Sequence, residues 1–534
     1  MVVATGGPGE ELERSWKATC RMLLGAEIGP MQEYSQWLSG MRAQPVFFSK
    51  SSLSGKEVAY STDAYCKGSG RISFDEIDFG AKPLPLPIDD IKDIDSLIGA
   101  LSERFQYAGN VILGNSGSVE RSSNVSDSFH VYESFRVGDS QRVAYSNMAR
   151  LCDSVFGCAA PGESQYCIRC NDTYRVNRCF ELWMSANCSD CRYVFNLNGC
   201  SDCMFSFNLR GKRCTIGNTA LPKERYGEIR ERLLAQMRDE LVSKKRLASL
   251  SDLLAQGKPD VEGARKLVKG KLPEVDGEKR DMAPIEAAFE ETTGVVLGIR
   301  LSPLSGYSAW LSARLPGSEI RTSALSGERV FVGLYANYPL IPKERTVRES
   351  EALRLVELSP PLEGVEKITL ENAHEFLAKI GYVSFDYHDG TNTNVFECMA
   401  YAYSSNAFRC FPCVEIRDSA HNFWPRSSDH VFGCSTVFDS SFCINCSQSV
   451  KLSRCFEVDS SRDCAGCYYC HNCENVRDSM FCFNAKNLRY AIGNIEVGRE
   501  RFLKAKEMLL APIAQELARK KSVGMTIFNL ACRK

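Results

Sequence analysis

The sequence predicts a mainly β fold with flanking helices, built twice. Each half holds an α+β lead-in, a cysteine-lined β-solenoid of about twelve residues per coil, and a C-terminal capping helix. Three observations carry this. Residues 156–218 recur without a gap at 432–494, an offset of 276, with 25 identities in 63 positions. Phe156-Gly157-Cys158 falls on Phe432-Gly433-Cys434, and Arg178-Cys179-Phe180-Glu181 on Arg454-Cys455-Phe456-Glu457; such self-similarity is settled before any motif is read. Every third residue from Ser116 to Leu209 is uncharged, 32 positions, and so are the 32 from Asn392 to Ala485. In a chain with 25% charged residues, chance produces that on the order of once in 10⁸. The cysteines then add a period of twelve, with Cys167, Cys179, Cys191 and Cys203 in one column and Cys434, Cys446, Cys470 and Cys482 in another.

A buried residue at every third position is neither a helix face nor a strand alternation. It fits a coiled chain whose wall turns a corner every three residues. Twelve residues per coil give a perimeter of at most ~40 Å, so the bore admits Ser, Cys, Val and Thr and little else. Coils stacked at ~4.8 Å make each solenoid ~40 Å long, with about eight coils.

The elements follow in order. Residues 1–110 are the first lead-in, where Ser54-Gly55-Lys56 precedes a strand at 57–61 and 91–105 reads as a helix. The first solenoid takes 111–218 and its capping helix 219–256, with the helix itself at 223–241 after an Ile-Gly-Asn triplet. The stretch 257–284 is Gly, Pro and charge and reads as a linker. A second lead-in (285–385) has strand signals at Ser305-Gly306 and 329–335 and a helix at 371–380; the second solenoid is 386–494, and 495–534 supplies the last cap, with a helix at 499–519. Caps are expected because an open solenoid edge invites aggregation.

Composition excludes several functions. There are 65 Lys+Arg against 66 Asp+Glu, so net charge drives binding to neither nucleic acid nor membrane. No apolar run reaches the ~18 residues of a membrane helix, and the first twenty residues lack the apolar stretch of a signal peptide. A cytoplasmic location is the expectation. Thr5-Gly6-Gly7-Pro8-Gly9 and Gly114-Asn115-Ser116-Gly117 match no phosphate-binding loop and read as loops.

Zinc is the sharpest chemical signal among 25 cysteines. Cys167, Cys170, Cys188 and Cys191 have the spacing of a four-thiolate site, and Cys443, Cys446, Cys464 and Cys467 repeat it. A period of three, however, makes every neighbouring pair a C-x-x-C. The halves also exchange cysteine for Val, Ser or Leu at matched places, such as Cys200 with Val476. Packing, with no cofactor, is therefore the main reading, zinc the alternative, and iron–sulfur or redox use of the thiols a third. Six histidines (His130, His374, His388, His421, His430, His471) have no histidine in the matching place of the other half, so no Cys–His catalytic pair recurs; an enzyme site confined to one half is the third reading. Aromatic residues form a stripe outside the bore: Phe156, Phe180, Tyr193, Phe205, Tyr469 and Phe481 are candidates for partner docking, or for packing under the cap helix. Lys244-Lys245-Arg246 and Arg519-Lys520-Lys521 end the cap helices and offer nucleic acid or the ribosome a basic patch, or simply suit the helix dipole.

The run Phe205-Ser206-Phe207-Asn208-Leu209-Arg210-Gly211-Lys212-Arg213-Cys214 and the Ile-Gly-Asn triplet before Lys223-Glu224-Arg225-Tyr226 resemble the close of cysteine-rich repeat β-solenoid proteins. These carry a zinc-ribbon label in small-genome bacteria, archaea and phages, and no activity is established for them. Ser54-Gly55-Lys56 and Phe74-Asp75-Glu76 sit where that family has similar short motifs. This chain lacks the family's N-terminal four-cysteine ribbon, so the zinc is not carried over, and it holds two copies rather than one. Twelve-residue coils also resemble insect antifreeze β-helices, whose surface threonine ladders are absent here. The expectation is a non-enzymatic scaffold or assembly component with a protein partner or self-association. A zinc protein contacting nucleic acid or the ribosome is the alternative.

Overall fold

The bore phase sets the structure, a computed structural model that describes residues 9–81, 93–272 and 280–533. It is mainly β with helices, and two large parallel-strand sheets, solenoid- and barrel-like, occupy the two halves. Each strand pairs in parallel with the one twelve residues on: Val131 lies against Val143, Val143 against Val155, and Cys167 against Cys179. In the second half Cys443 faces Cys455, and Val458 faces Cys470.

Each triplet places one residue inward, one outward and one at a corner. The corner residues are left-handed, with φ near +50° at Ser118, Arg121 and Asn124 and so on around both sheets. Asn, Asp and Gly adopt that region most easily, and a bulky or β-branched residue is strained there. Among the described residues with positive φ there is no Val or Ile. Gly157 and Gly433 occupy two corners where a Cβ would lie about 3 Å from the backbone of Leu38 or Leu311, which accounts for the repeated Phe-Gly-Cys.

Inward positions alternate serine with valine in the early coils. Ser134 Oγ donates to Tyr132 O (2.8 Å) and accepts from the N–H of Ser146 (3.0 Å); Ser122, Ser128 and Ser140 repeat the pattern. The hydroxyl thus pairs a buried backbone N–H that the narrow corner leaves without a carbonyl. It also adds a second donor to a carbonyl the next coil already bonds, as the N–H of Tyr145 bonds Tyr132 O (3.1 Å). Cysteine takes over the role: Cys158 Sγ donates to Phe156 O (3.6 Å) and accepts from Cys170 N–H (3.3 Å).

The Ile-Gly-Asn triplets end the ladders. Gly217 and Asn218, like Gly493 and Asn494, have positive φ, as a tight two-residue hairpin requires. The last strands turn back antiparallel, Ile216 on Thr219 and Ile492 on Ile495. Asn218 pairs its side-chain amide with both the N–H and C=O of Phe207 (2.7 and 3.0 Å), and Asn494 does the same with Phe483 (3.0 and 2.7 Å). An amide side chain so stands in for the next strand at the edge. The cap helices Lys223–Lys244 and Arg499–Lys520 follow.

The described chain divides into two compact units that cut across its sequence order. Unit 1 is Met1–Pro45, Gly114–Asp276 and Gly317–Tyr387; unit 2 is Val46–Leu113, Gly277–Pro316 and His388–Lys534. Each unit thus joins one sheet to its own preceding helix and to the lead-in block of the other half. In unit 1, Trp16 of the helix Glu10–Leu24 meets Phe156 edge-on and Trp37 packs on Phe180, while Tyr382 O of the exchanged block accepts from Asn208 (2.9 Å). In unit 2, Phe289 of the helix Ala283–Leu297 meets Phe432 and Trp310 packs on Phe456; Gln106 O accepts from Asn484 (2.8 Å). The two halves are the same construction, exchanged.

Several expectations need correction. Part of 257–284 is the helix Val261–Val268, whose Ala264 and Val268 are buried against Val347, Leu355 and Tyr382; two small apolar residues on one face suffice where a partner covers them. Residues 273–279, 91–92 and Thr5-Gly6-Gly7-Pro8 lie outside the described residues. Ser305-Gly306 is in the 3₁₀ turn Leu304–Tyr307, not a strand. The helix Glu10–Leu24 is an element the composition argument passed over, although Leu12, Trp16, Cys20, Leu23 and Leu24 line one face and are buried. No helix among the described residues is long and apolar enough to cross a membrane.

Candidate functional site: a buried carboxylate cluster in each unit

The outward column that faces the exchanged block is where chemistry-bearing side chains gather. In unit 2, Phe423, Ser435, Ser447, Asp459, His471 and Phe483 stack at intervals of twelve residues. Asp459 and His471 have no exposed surface. His471 Nδ1 donates to Asp459 Oδ2 (2.8 Å) and its Nε2 accepts from the N–H of Ala108 (2.9 Å), so the ring is held with its proton on Nδ1. Asp459 also accepts from Tyr65 (2.6 Å) and Ser447 (2.6 Å). Burial pushes the Asp459 carboxyl up, but His471, Ser447 and Tyr65 more than offset this and hold it below the usual carboxylate range. Tyr107 stacks on Tyr65 and meets the His471 ring edge-on.

Unit 1 builds its version from different residues on the same column. Asn147, Ala159, Asn171, Trp183, Phe195 and Phe207 stack in register, so Trp183 and Phe195 stand where unit 2 has Asp459 and His471. The acid is Asp172, at the corner beside Asn171. Its Oδ2 accepts from Tyr335 and from Tyr338 (2.7 Å), both on the exchanged block. Burial pushes Asp172 up to about 7, against the lowering effect of those two hydroxyls. Asp172 Oδ1, both side-chain amide atoms of Asn171, and Thr173 Oγ1 are buried with no partner among the described residues.

A second buried pair recurs in both units. Glu181 accepts from Arg169, Trp183 Nε1 (3.0 Å) and the N–H of Leu250 (3.2 Å). Glu457 accepts two bonds from Arg314 (2.8 and 2.6 Å) and one from the N–H of Ile527 (2.9 Å). Each carboxylate pins the segment that follows its cap helix.

The residues singled out from the sequence fall elsewhere. Phe156, Phe180, Tyr193, Phe205, Tyr469 and Phe481 are at most 1% exposed; they are covered by helices of their own unit, Tyr193 donating to Ala248 O (2.9 Å), and are closed to a docking partner. The zinc sets do not converge. Cys167 and Cys191 occupy one column two coils apart, about 9–10 Å along the axis, whereas thiolates around one zinc lie ~2.3 Å from the metal. Among the described residues no group of three or more His, Cys, Asp or Glu is placed to hold a metal ion. The eight thiols point at backbone carbonyls: Cys167 at Gln165, Cys170 at Ile168, Cys188 at Ala186, Cys191 at Ser189, Cys443 at Ser441, Cys446 at Ile444, Cys464 at Arg462 and Cys467 at Ala465. Burial pushes thiols such as Cys152, Cys410 and Cys434 up, away from the reactive thiolate. Hydrogen bonds from neighbouring thiols instead bring Cys200 down to about 3, and hold Cys179, Cys455 and Cys470 below the usual thiol range against their burial.

The lysines of the basic helix ends are engaged within their units, while Arg246 and Arg519 are exposed. Lys245 pairs with Glu33 (2.6 Å) over the Tyr34 ring, and Lys521 donates to Tyr307 (3.0 Å) over that ring. Lys244 and Lys520 pair with Glu240 and Glu516 one turn back. Nothing in the duplication pointed to the clusters, because their residues differ between halves; Asp459 and His471 are twelve apart in one phase, and that is the sequence signal they carry. Comparison with known proteins finds no matching family model, no matching curated protein and no matching solved structure.

Proposed function

We propose that this chain is a non-enzymatic scaffold, an assembly or protein-interaction component built on two capped β-solenoids. One observation carries the reading most: the buried Asp459–His471 pair and the bore thiols spend their hydrogen-bonding groups on the fold itself. His471 has both ring nitrogens occupied, so it has no lone pair with which to take a nucleophile's proton. The bore thiols donate to the wall that encloses them. What remains outside is a stiff surface of corner residues, joined by ladders such as Asn475 to Asn487 (2.8 Å) and Arg178 to Asp190 (2.8 and 2.6 Å), which suits an extended docking face.

The competing zinc and nucleic-acid reading is weakened by the spread of the thiols and the pairing of the helix-end lysines. Elemental analysis of protein purified without added metal, with a thiol count in denaturant, separates the two. The scaffold reading expects no stoichiometric metal and at least the 23 free thiols of the folded chain. Two or more zinc ions per chain with a matching loss of thiols, or tight salt-dependent binding to RNA or duplex DNA, would overturn it.

A further inference from the structure

Of the 25 cysteines, 22 are buried and Cys214 is half-buried. The remaining two, Cys66 and Cys532, form a disulfide between Cα atoms 6.3 Å apart, across 466 residues of sequence. Neither sulfur belongs to the bore phase, and Cys532 is exposed. The bond ties the lead-in block of unit 2 to the segment 523–532. That segment lies over both polar centres of the unit. Ile527 N–H donates to Glu457 (2.9 Å), Ile527 O accepts from Tyr107 (2.7 Å), and Phe528 O accepts from the N–H of Cys66 (2.9 Å). The Phe528 ring rests on Tyr65, the donor to Asp459, and under the Arg314 guanidinium that pairs with Glu457. In the first half the matching stretch is the helix Leu250–Gln256, without a cysteine.

We propose that Cys66 and Cys532 are a redox-modification site, a clasp that fixes this segment over the Glu457–Arg314 and Asp459–His471 centres and releases it on reduction. The reductant is a small dithiol. Its thiolate attacks Sγ of Cys532, the exposed sulfur, forming a mixed disulfide and expelling Cys66 as a thiolate that takes a proton. The reagent's second thiol then closes on its first sulfur and frees Cys532 as a thiol. Two electrons pass to the protein, and the reagent leaves as a cyclic disulfide. The other 23 cysteines are already thiols, so the reagent meets no second disulfide; attack on this one needs access to its sulfur, which Cys532 provides.

The test is hydrogen exchange on the full chain, oxidised with oxidised glutathione and then reduced with dithiothreitol, with thiols counted in denaturant. Reduction is expected to raise the count from 23 to 25 and to speed exchange at the amides of Cys66 and Ile527 by at least tenfold. The variant C532S should exchange at the fast rate with no reductant, and C214S should behave as the unaltered chain. A count of 25 after oxidation would overturn the proposal, as would equal exchange in the two redox states or a C532S variant as protected as the oxidised protein. None of these results touches the metal analysis above, so the two readings fail separately.

Discussion

Serine and cysteine carry out the same task in the bore, which makes a direct comparison possible at Ser134. Its hydroxyl satisfies Tyr132 O and the N–H of Ser146. Tyr132 O keeps a second donor in the N–H of Tyr145 (3.1 Å), so Ser134→Ala leaves the buried Ser146 N–H unpaired and should cost about 1–3 kcal/mol in denaturant unfolding. Ser134→Cys keeps a weak donor and acceptor and should cost less than half as much; equal losses would mean that the column needs volume rather than bonds. Asp172 gives a second prediction at this scale. Its carboxyl is raised to about 7 when folded, against about 3.9 in the unfolded chain. Between those values the folded state holds a proton that the unfolded state has lost, so stability falls as pH rises from about 4 to 7. Asp172→Asn removes the titrating group, and its stability relative to the unaltered chain should climb through that window by on the order of 2–4 kcal/mol. A flat difference between pH 4 and 7 would show that Asp172 titrates normally.

Among the elements, the corner and the post-cap segment are open to test. Asn187 sits exposed at φ +53°. Asn187→Gly should leave stability within about 0.5 kcal/mol, and Asn187→Val should cost about 1–2 kcal/mol from strain alone. The carboxylate behind the cap helix is a larger lever. Glu457→Ala takes the partner from Arg314, a quarter of whose side chain is exposed, and leaves the buried Ile527 amide unpaired, at a cost of about 1–3 kcal/mol; urea unfolding gives the number. The inward residues were legible because exclusion of charge is a strong, chemically uniform demand repeated 64 times. The corners were not, because left-handed backbone accepts Arg, Tyr, Met and Glu as well as Asn, and what marks them is an absence, the missing Val and Ile. The carboxylate clusters stayed hidden for the opposite reason. Trp183 and Phe195 fill in one unit the places that Asp459 and His471 fill in the other, so duplication, the best guide to the fold, pointed away from them.

At the scale of the whole molecule, the exchange of lead-in blocks is the feature no local signal announces. Ser51-Ser52-Leu53-Ser54-Gly55 and Ser323-Ala324-Leu325-Ser326-Gly327 are near copies, and both reach a glutamate, Glu76 or Glu351, through the first serine. Either block looks fit for either sheet. Unit 2 nevertheless takes 46–113 and unit 1 takes 317–387. Residues 1–276 and 277–534 produced as separate chains in one cell should therefore purify together at one to one, each supplying what the other's sheet lacks. Recovery of two independent monomers would show that each lead-in had returned to its own half. The same crossing imposes a delay during synthesis. Residue 113 completes its block 275 residues before residue 388 opens the sheet that receives it. At roughly 5–20 residues per second the wait is about 14–55 s, with Val58, Tyr60, Tyr65, Leu97 and Tyr107 uncovered until their seat is translated. That interval is the time in which a nascent copy meets its neighbours on a polysome, and in which holdase chaperones have a defined apolar target.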